Sequence, residues 1–364
     1  MKKIMSIIMS SILSITIISG CSVNQSDLKT EVKENSKKVE ERVITDSEGK
    51  EVHLPAQIDR VATNGALNQI VLMLGGADKI VATSEAVQNS FFATVYPRIK
   101  EVPAAFGGAG PGVMNKESIL QQHPQVIFGS GYSEEDKKVL ESGGVITVGI
   151  KLITPEDMKN TFLLVGKVLG EESEKKAREF VKYYDNNVNY AKEKTKGANK
   201  IKVFVASGDG SKGSINTIPG NDINTSYLDA AGGINIAAES IPTTPASGNS
   251  AAVDFEFLIN NQPEVIIANS RTTYDYIMDK NNGSQWQELD AVKNRKVYLN
   301  PKGVYLWSVR SAEGVLQPLW LGKILHTELF QDLDIKKTVK DFYKTYYNYD
   351  LNDKETEDIL NPKA

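Results

Sequence analysis

The stretch NKESILQQHPQVIF, from Asn115 to Phe128, recurs as DFEFLINNQPEVII, from Asp254 to Ile267. The two copies align without a gap. Asn115 lies over Asp254, Glu117 over Glu256, Leu120 over Ile259, and Pro124-Gln125-Val126-Ile127 over Pro263-Glu264-Val265-Ile266. Asn and Asp carry the side chains best suited to capping a helix start, and an acid two places on falls where the helix dipole favours negative charge. Proline then stops the helix and a β-branched run follows as a buried strand. Each copy predicts a cap, a short helix, a proline stop and a parallel strand. A second echo sets MLGGADKIVA (Met73 to Ala82) over AAGGINIAAE (Ala230 to Glu239), with Gly75-Gly76 over Gly232-Gly233. Two echoes in the same order point to a duplicated α/β lobe, and the space between two such lobes is where function is expected.

A chain of 364 residues with 40% apolar and 8% aromatic content suits two ordinary globular domains. Its formal charge of −4, without basic runs, argues against nucleic acid as a partner. Met1-Lys2-Lys3 is a positive start, and the apolar run after it is short for a membrane span. That run ends in Ile18-Ser19-Gly20-Cys21. Small residues before a Cys at this point resemble the lipobox of bacterial lipoproteins, which implies a leader over 1–20 and lipid on Cys21. Cys21 is the single cysteine, so an internal disulfide and a thiolate metal cluster are both excluded. Residues 21–40 are polar and charged, the composition of a flexible tether.

Arg42 to Pro55 reads as a hairpin around DSEGK. RVATNG predicts a strand ending near Asn64, ALNQIVLMLGG a helix closed by Gly75-Gly76, and KIVATSE a further strand. Ala93 to Lys116 reads as irregular, with Gly107 to Gly112 unable to form a regular element. Strands and helices alternate, which predicts a parallel sheet with helices on its faces. Pro155 to Gly170 and Glu171 to Gly197 read as helices, the second with Phe180, Val181, Tyr184, Val188 and Ala191 on one stripe. The second helix lies between the two repeat copies, the place for a rigid connector. IKVFVAS opens the second lobe, which continues through the second repeat copy and RKVYLNP and ends in SAEGVLQPLWLGKIL and TVKDFYKTYYNY, read as helices. The expected fold is α/β: two Rossmann-like lobes, 41–170 and 198–364, joined by one long helix over 171–197.

Six segments in order then resemble one family: VITDSEGKEVHLPAQIDRVA, NKESILQQHPQVIFGSG, DAAGGINIAAE, DFEFLINNQPEVIIANS, AVKNRKVYLNPKGVYLWS and the C-terminal LWLGKILHTELFQDLDIKKTVKDFYKTYYNYDLNDKE. These are similar to the single-helix-linked (class III) solute-binding lipoproteins of ABC importers, which deliver iron–siderophore, haem, cobalamin and related complexes. The resemblance implies one permease-docking glutamate on each lobe, and the matching positions are Glu117 and Glu256. It also implies a permease dimer with its ATPase as partner, attachment to the outer face of the cytoplasmic membrane, and a monomeric receptor with neither catalytic activity nor a cofactor.

Ligands of open α/β sheets bind beyond the carboxyl ends of the strands. Those ends place Asn64, Tyr132, Arg271, Tyr305, Trp307 and Arg310 as candidate ligand contacts, a set that suits a planar or anionic ligand through stacking and bidentate pairing. Trp307, Tyr132 and Tyr305 suit the core equally, Arg271 and Arg310 suit a surface charge, and Trp320 sits within a helical stripe. His53, His123 and His326 all lie away from strand ends, which argues against a bare zinc or manganese site and against His-ligated haem. GDGSKG (Gly208 to Gly213) matches a nucleotide fingerprint but is followed by SINTIPGND instead of a helix, so a loop is expected there. The sequence therefore predicts a receptor for a pre-chelated metal, an iron chelate above all. A cobalamin or haem receptor, a bare-metal receptor and a surface α/β enzyme are the alternatives.

Overall fold

The computed structural model describes residues 41–107, 113–129, 131–207, 215–240, 251–279 and 285–362. The proposed lipid site Cys21, the tether and the loop Gly208 to Gly213 lie outside these residues, as does most of Gly107 to Gly112.

A hairpin opens the described chain, β1 (Arg42–Thr45) antiparallel to β2 (Glu51–Leu54). Asp46 closes its turn: Oδ1 accepts from the amides of Glu48 and Lys50, each at 2.9 Å. Oδ2 accepts from the Gly149 amide at 3.0 Å, which fastens the hairpin to the first sheet.

That sheet uses β3 (Val61–Ala62), β4 (Ile80–Ser84), β5 (Ala104–Phe106), β6 (Val126–Gly129) and β7 (Ile146–Gly149), with α1 (Ala66–Met73), α2 (Glu85–Gln88), α3 (Phe92–Val95), α4 (Lys116–Gln121) and α5 (Glu134–Ser142) between them. Its order is β5-β4-β3-β6-β7 and every pair is parallel. Next come α6 (Pro155–Leu169) and α7 (Glu171–Lys194).

The second sheet follows with β8 (Ile201–Ala206), β9 (Ile215–Thr217), α8 (Ile223–Ala230), β10 (Gly233–Asn235), β11 (Ala251–Val253), α9 (Phe255–Asn261), β12 (Val265–Ala268), α10 (Arg271–Met278), α11 (Asp290–Lys293) and β13 (Val297–Leu299). Its order is β10-β8-β12-β13, again wholly parallel, while β9 and β11 pair apart as an antiparallel ribbon. The chain ends in α12 (Gln317–Leu325), α13 (Ile335–Tyr347) and α14 (Asp353–Leu360).

The duplication read from the sequence is present in three dimensions. The order β4-β3-β6-β7 in one sheet corresponds to β10-β8-β12-β13 in the other, with β5 added to the first. Asn115 caps α4 by accepting from the Ser118 amide at 2.9 Å, and Asp254 caps α9 from the Phe257 amide at 2.8 Å. Both helices then leave through a non-glycine residue at positive φ, His123 and Gln262, directly before the proline. Beyond it, the Gln125 amide donates to the Arg60 carbonyl while Gln125 Oε1 accepts from the Arg60 amide at 3.1 Å. Glu264 repeats this with Lys202 at 2.9 and 3.0 Å. In the second echo, Gly75 and Gly232 take φ of 79° and 76°, ending α1 and α8 where a side chain would be strained. Every residue of β6 and β12 is buried, as strands covered on both faces require.

Some elements differ from the sequence expectation. Short α3, a 3₁₀ turn over Pro97–Glu101 and β5 occupy the stretch read as irregular; elements of three to five residues are too short to show a period. The helix expected from Ser311 splits into a 3₁₀ turn over Ala312–Leu316 and α12, because Pro318 lacks an amide hydrogen and fits only a first turn. Helix α14 starts with an Asn352–Glu355 capping box, a signal present in the sequence and not used.

On α7 the expected stripe faces inward: Phe180, Tyr184 and Ala191 are buried, with Val181 and Val188 partly covered. Phe180 stacks on Phe162 of α6 at 4.0 Å between ring centroids. Phe180→Ala is expected to lower unfolding stability by about 3–5 kcal/mol, read as an earlier urea midpoint by circular dichroism. A loss under about 1 kcal/mol would mean this pair does not hold the connector.

Candidate functional site

In each sheet the strand order reverses beside the first strand, between β3 and β6 and between β8 and β12. Crevices form at such switch points, beyond the strands' carboxyl ends. Past β3 and β4 lies a cavity of about 850 Å³. One wall consists of Asn64 and Gly65 at the start of α1, Gln69 on its second turn, Ser84, and the α2–α3 segment with Phe91 and Phe92. The opposite wall is the loop after β13, Lys302 to Leu306 with Val309. The third comes from the C-terminus: Glu355, Asp358 and Ile359 of α14, and Pro362.

Asn64 is half-buried, and its Oδ1 accepts from the Gly65 amide at 2.7 Å. A methyl placed on Gly65 would lie 3.6 Å from the Tyr305 hydroxyl, so the two walls nearly meet here. Burial raises the Tyr305 phenol above its ordinary value, against the pull of Arg310. Arg310 itself is lowered, chiefly by burial, although Asp222 and Tyr305 oppose the shift. Its Nη2 lies 3.6 Å from Asp222 Oδ2, and among the described residues its Nε has no hydrogen-bond partner. The hydroxyl of Ser84, only 1% exposed, is likewise without a partner among the described residues at the cavity wall. Two donors of different reach are thus unspent beside or near the cavity.

Beneath the Lys302–Leu306 loop sits Glu313, fully buried. Its carboxylate accepts from the Val304 amide at 3.1 Å, the Tyr305 amide at 3.3 Å and the Tyr343 hydroxyl. Desolvation pushes its pKa up to about 7, while hydrogen bonds from Tyr343, the two amides and Tyr347 pull it down.

Of the six ligand contacts expected from the sequence, the cavity lining takes in Asn64 and Tyr305. Arg310 stands behind Tyr305. Tyr132 packs in the core of the first sheet, 9% exposed, with its hydroxyl donating to the Phe128 carbonyl at 3.1 Å. Its ring fills the space a side chain on Gly129 would need, with Tyr132 atoms 2.2 Å from that position. Trp307 is also interior, at 0% exposure, while its neighbours Tyr305 and Leu306 reach the cavity. Arg271 turns toward the C-terminus: Nη2 donates to the Pro362 carbonyl at 2.8 Å, and the guanidinium lies over Tyr274. It therefore supports the third wall from behind. Glu117 and Glu256 are exposed on the first turns of α4 and α9, and among the described residues neither forms an ion pair. His53 and His123 sit on the hairpin and at the end of α4, and buried His326 lies against the Gly232 carbonyl. Gln69, Phe91 and Glu313 were missed: Gln69 and Phe91 carry no motif, and Glu313 looks like an ordinary first-turn acid after Ser311. Ser84, at the carboxyl end of β4, stands where a strand-end residue is expected to face the site.

Residues 61–303 match the family model for periplasmic binding proteins. The chain belongs to that family. Molybdate-binding protein MolA of Haemophilus influenzae is 25% identical over 337 residues, spanning 84% of this chain and 91% of that protein. Its molybdate-bound crystal structure superposes with a TM-score of 0.73 at 22% identity, over 85% of this chain and 99% of the other. A periplasmic solute binding protein from Veillonella parvula reaches a TM-score of 0.75 at 27% identity, covering 88% and 97%. The Helicobacter pylori CeuE complex with Ni-His reaches 0.70 at 17% identity, covering 88% and 99%. Two parallel sheets with a helical connector are thus the architecture of class III solute-binding proteins, the receptors of ABC importers. No helix among the described residues is long and apolar enough to cross a membrane.

The Glu313 carboxyl gives a pH signature. An ordinary glutamate near 4.5 loses its proton in the unfolded chain, while the folded chain keeps it until about 7. The contribution is fully present below about 4.5 and lost as pH rises through about 7, a change of about 3 kcal/mol. Denaturation midpoints from pH 4.5 to 8 should show the wild type losing stability relative to Glu313→Gln by about this amount. Parallel profiles would place the carboxyl in an ordinary environment.

Proposed function

We propose that this receptor captures a metal already wrapped in a chelator, an iron chelate of siderophore type, and presents it to an ABC permease. The observation that carries the reading is the cavity's size and lining together. About 850 Å³ falls in the range of sites for multi-atom organic ligands, roughly 300–1,000 Å³. Its walls offer the faces of Phe91 and Tyr305 for stacking and short polar groups for orientation. The Arg310 guanidinium behind Tyr305 favours an anionic or catecholate-type ligand. No chemistry is needed from the protein: the chelator supplies coordination, and the receptor supplies shape and charge.

A second reading has its own support. The sequence relative from Haemophilus influenzae is named for molybdate, and a small oxyanion could sit among Ser84, the start of α1 and Arg310. A haem or cobalamin ligand would use the same volume. Titration of the purified protein with an iron(III) tris-catecholate complex, a nickel(II)–histidine complex and sodium molybdate separates these readings, and mass spectrometry of co-purifying material names the natural cargo. Tight binding of molybdate with no response to the chelates would overturn the chelate proposal.

The partition into lobes over 41–170 and 198–364, joined by 171–197, is supported by the place of α7 between the two sheets and by its packing on α6, α8 and α12. Docking through Glu117 and Glu256 is supported by their equivalent, exposed positions on the two repeat copies. Lipid on Cys21 would hold this monomeric receptor beside the permease.

Tyr305→Ala combined with Arg310→Ala is expected to weaken chelate binding by roughly tenfold or more, as the loss of one stacked ring and one charge-assisted contact. Glu117→Ala with Glu256→Ala should abolish uptake into cells and leave affinity unchanged. Reduced affinity in that double variant would assign the two acids to the pocket.

A further inference from the structure

Gln69 belongs to α1, on the first wall of the cavity, yet both atoms of its amide leave that half of the molecule. Nε2 donates to the Tyr347 hydroxyl at 2.6 Å, and Oε1 accepts from the Ala312 amide at 2.8 Å. Gln69 is 1% exposed, so these bonds are shielded from water. Tyr347, having accepted from Gln69, lies beside Glu313, and each raises or lowers the other's titration. Glu313 in turn holds Val304 and Tyr305 on the opposite wall. The fit is tight: a methyl on Gly303 would come within 2.1 Å of the Tyr343 hydroxyl and 2.7 Å of both Glu313 oxygens. Gln69, bonded to the Ala312 amide beside Glu313 and to Tyr347 next to that acid, therefore ties α1 to the buried group that holds the loop across the cavity.

We propose that Glu313 is a positioning residue for ligand capture, its carboxylate holding the Val304–Tyr305 backbone in place while its own turn, through the Ala312 amide on Gln69, ties that loop to α1 on the facing wall. The inference rests on the cavity being the ligand site. A carboxylate offers only acceptors, and each group bonded to it here is a donor: two amides and the Tyr343 phenol of α13. No charged side chain faces it from its own turn, Ala312–Leu316, and among the described residues it forms no ion pair; α1 contributes neutral Gln69, and Arg310 acts on Tyr305. When the carboxyl takes a proton, one oxygen becomes a donor among donors. The longest bond, from the Tyr305 amide, is the one released, and the ring that lines the cavity loses its anchor. Affinity falls as pH drops through neutrality, where the buried carboxyl titrates.

The test compares wild type with Glu313→Gln at pH 5.5 and pH 8, using the iron(III) tris-catecholate, nickel(II)–histidine or molybdate probe that the wild type binds. The ratio of the two affinities at each pH cancels the probe's own protonation. Wild type should bind about fivefold more tightly than the variant at pH 8, the loss of one hydrogen bond, and equally at pH 5.5. A ratio independent of pH overturns the proposal. Hydrogen exchange without any ligand gives a second arm. Protection of the Val304 and Tyr305 amides, relative to those of β12, should fall on acidification in the wild type. It should stay low in the variant. If Glu313→Gln does not fold, the wild-type exchange ratio decides: no change between pH 8 and pH 5.5 sinks the idea. Should the exchange arm succeed while Tyr305→Ala binds its probe normally, the cavity reading fails and the positioning role stands.

Discussion

Both parallel sheets start from the same clamp. The residue after the helix-stopping proline, Gln125 or Glu264, grips Arg60 just before β3 or Lys202 near the start of β8 by its carbonyl and its amide together. Parallel strands have no hairpin turn to set their register, and a slip of one residue would turn every buried side chain outward. The clamp fixes Val61 opposite Val126 and Val203 opposite Val265. Strand β3 is two residues long, so everything beyond it inherits that register directly. Asn64 and Gly65 stand where they do because Gln125 holds the other end of the strand.

The clamp also explains why the fold was legible and the site only half so. Cap, helix, proline and strand are local signals, each written within about a dozen residues, and the chain repeats them. Strand ends follow from the same signals, which is why Asn64 and Tyr305 were reached. Direction around a loop is not local. Tyr132 follows a strand end more closely than Tyr305 does and Trp307 comes two residues after Tyr305, but Gly129 leaves room that the Tyr132 ring fills, and Trp307 turns under the loop into the core. The walls supplied by Gln69, Phe91 and α14 depend on the chain returning from its far end. Gln69 and Tyr347 are 278 positions apart, and nothing in either neighbourhood announces the other.

That return changes the mechanical picture as well. One stiff helix between lobes implies a hinge of small amplitude, and α7 is such a helix, packed along α6 by Phe180 and on α8 through the Tyr184–Tyr227 hydroxyl pair at 2.9 Å. A second connection lies at the floor of the cavity. Phe91, from the segment after β4, meets Tyr343 and Tyr349 at 6.1 and 6.2 Å between centroids. Gln69 adds its two buried bonds beside them. Separating the walls would break those bonds at about 0.5–1.5 kcal/mol each, leave the buried partners unpaired, and wet the aromatic cluster.

A receptor tied at two places adjusts to its cargo mainly by moving loops. The α2–α3 segment and the Lys302–Leu306 loop are the movable parts of this cavity, since both hang from strand ends and neither belongs to a sheet. Of the two, the second is held from beneath by a buried acid and two phenols, the first by the packing of Phe91 and Phe92 and by Gln88, whose Nε2 donates to the Val102 carbonyl at 2.6 Å. Hydrogen bonds are directional and packing is not. The amides of Val304 and Tyr305 are thus fixed in direction by the acid, whereas the rings of Phe91 and Phe92 are held by contact. In this chain the frame is the pair of clamped sheets, and the two walls differ in how they are held: one by backbone bonds to a buried acid, the other by ring packing and one side-chain amide.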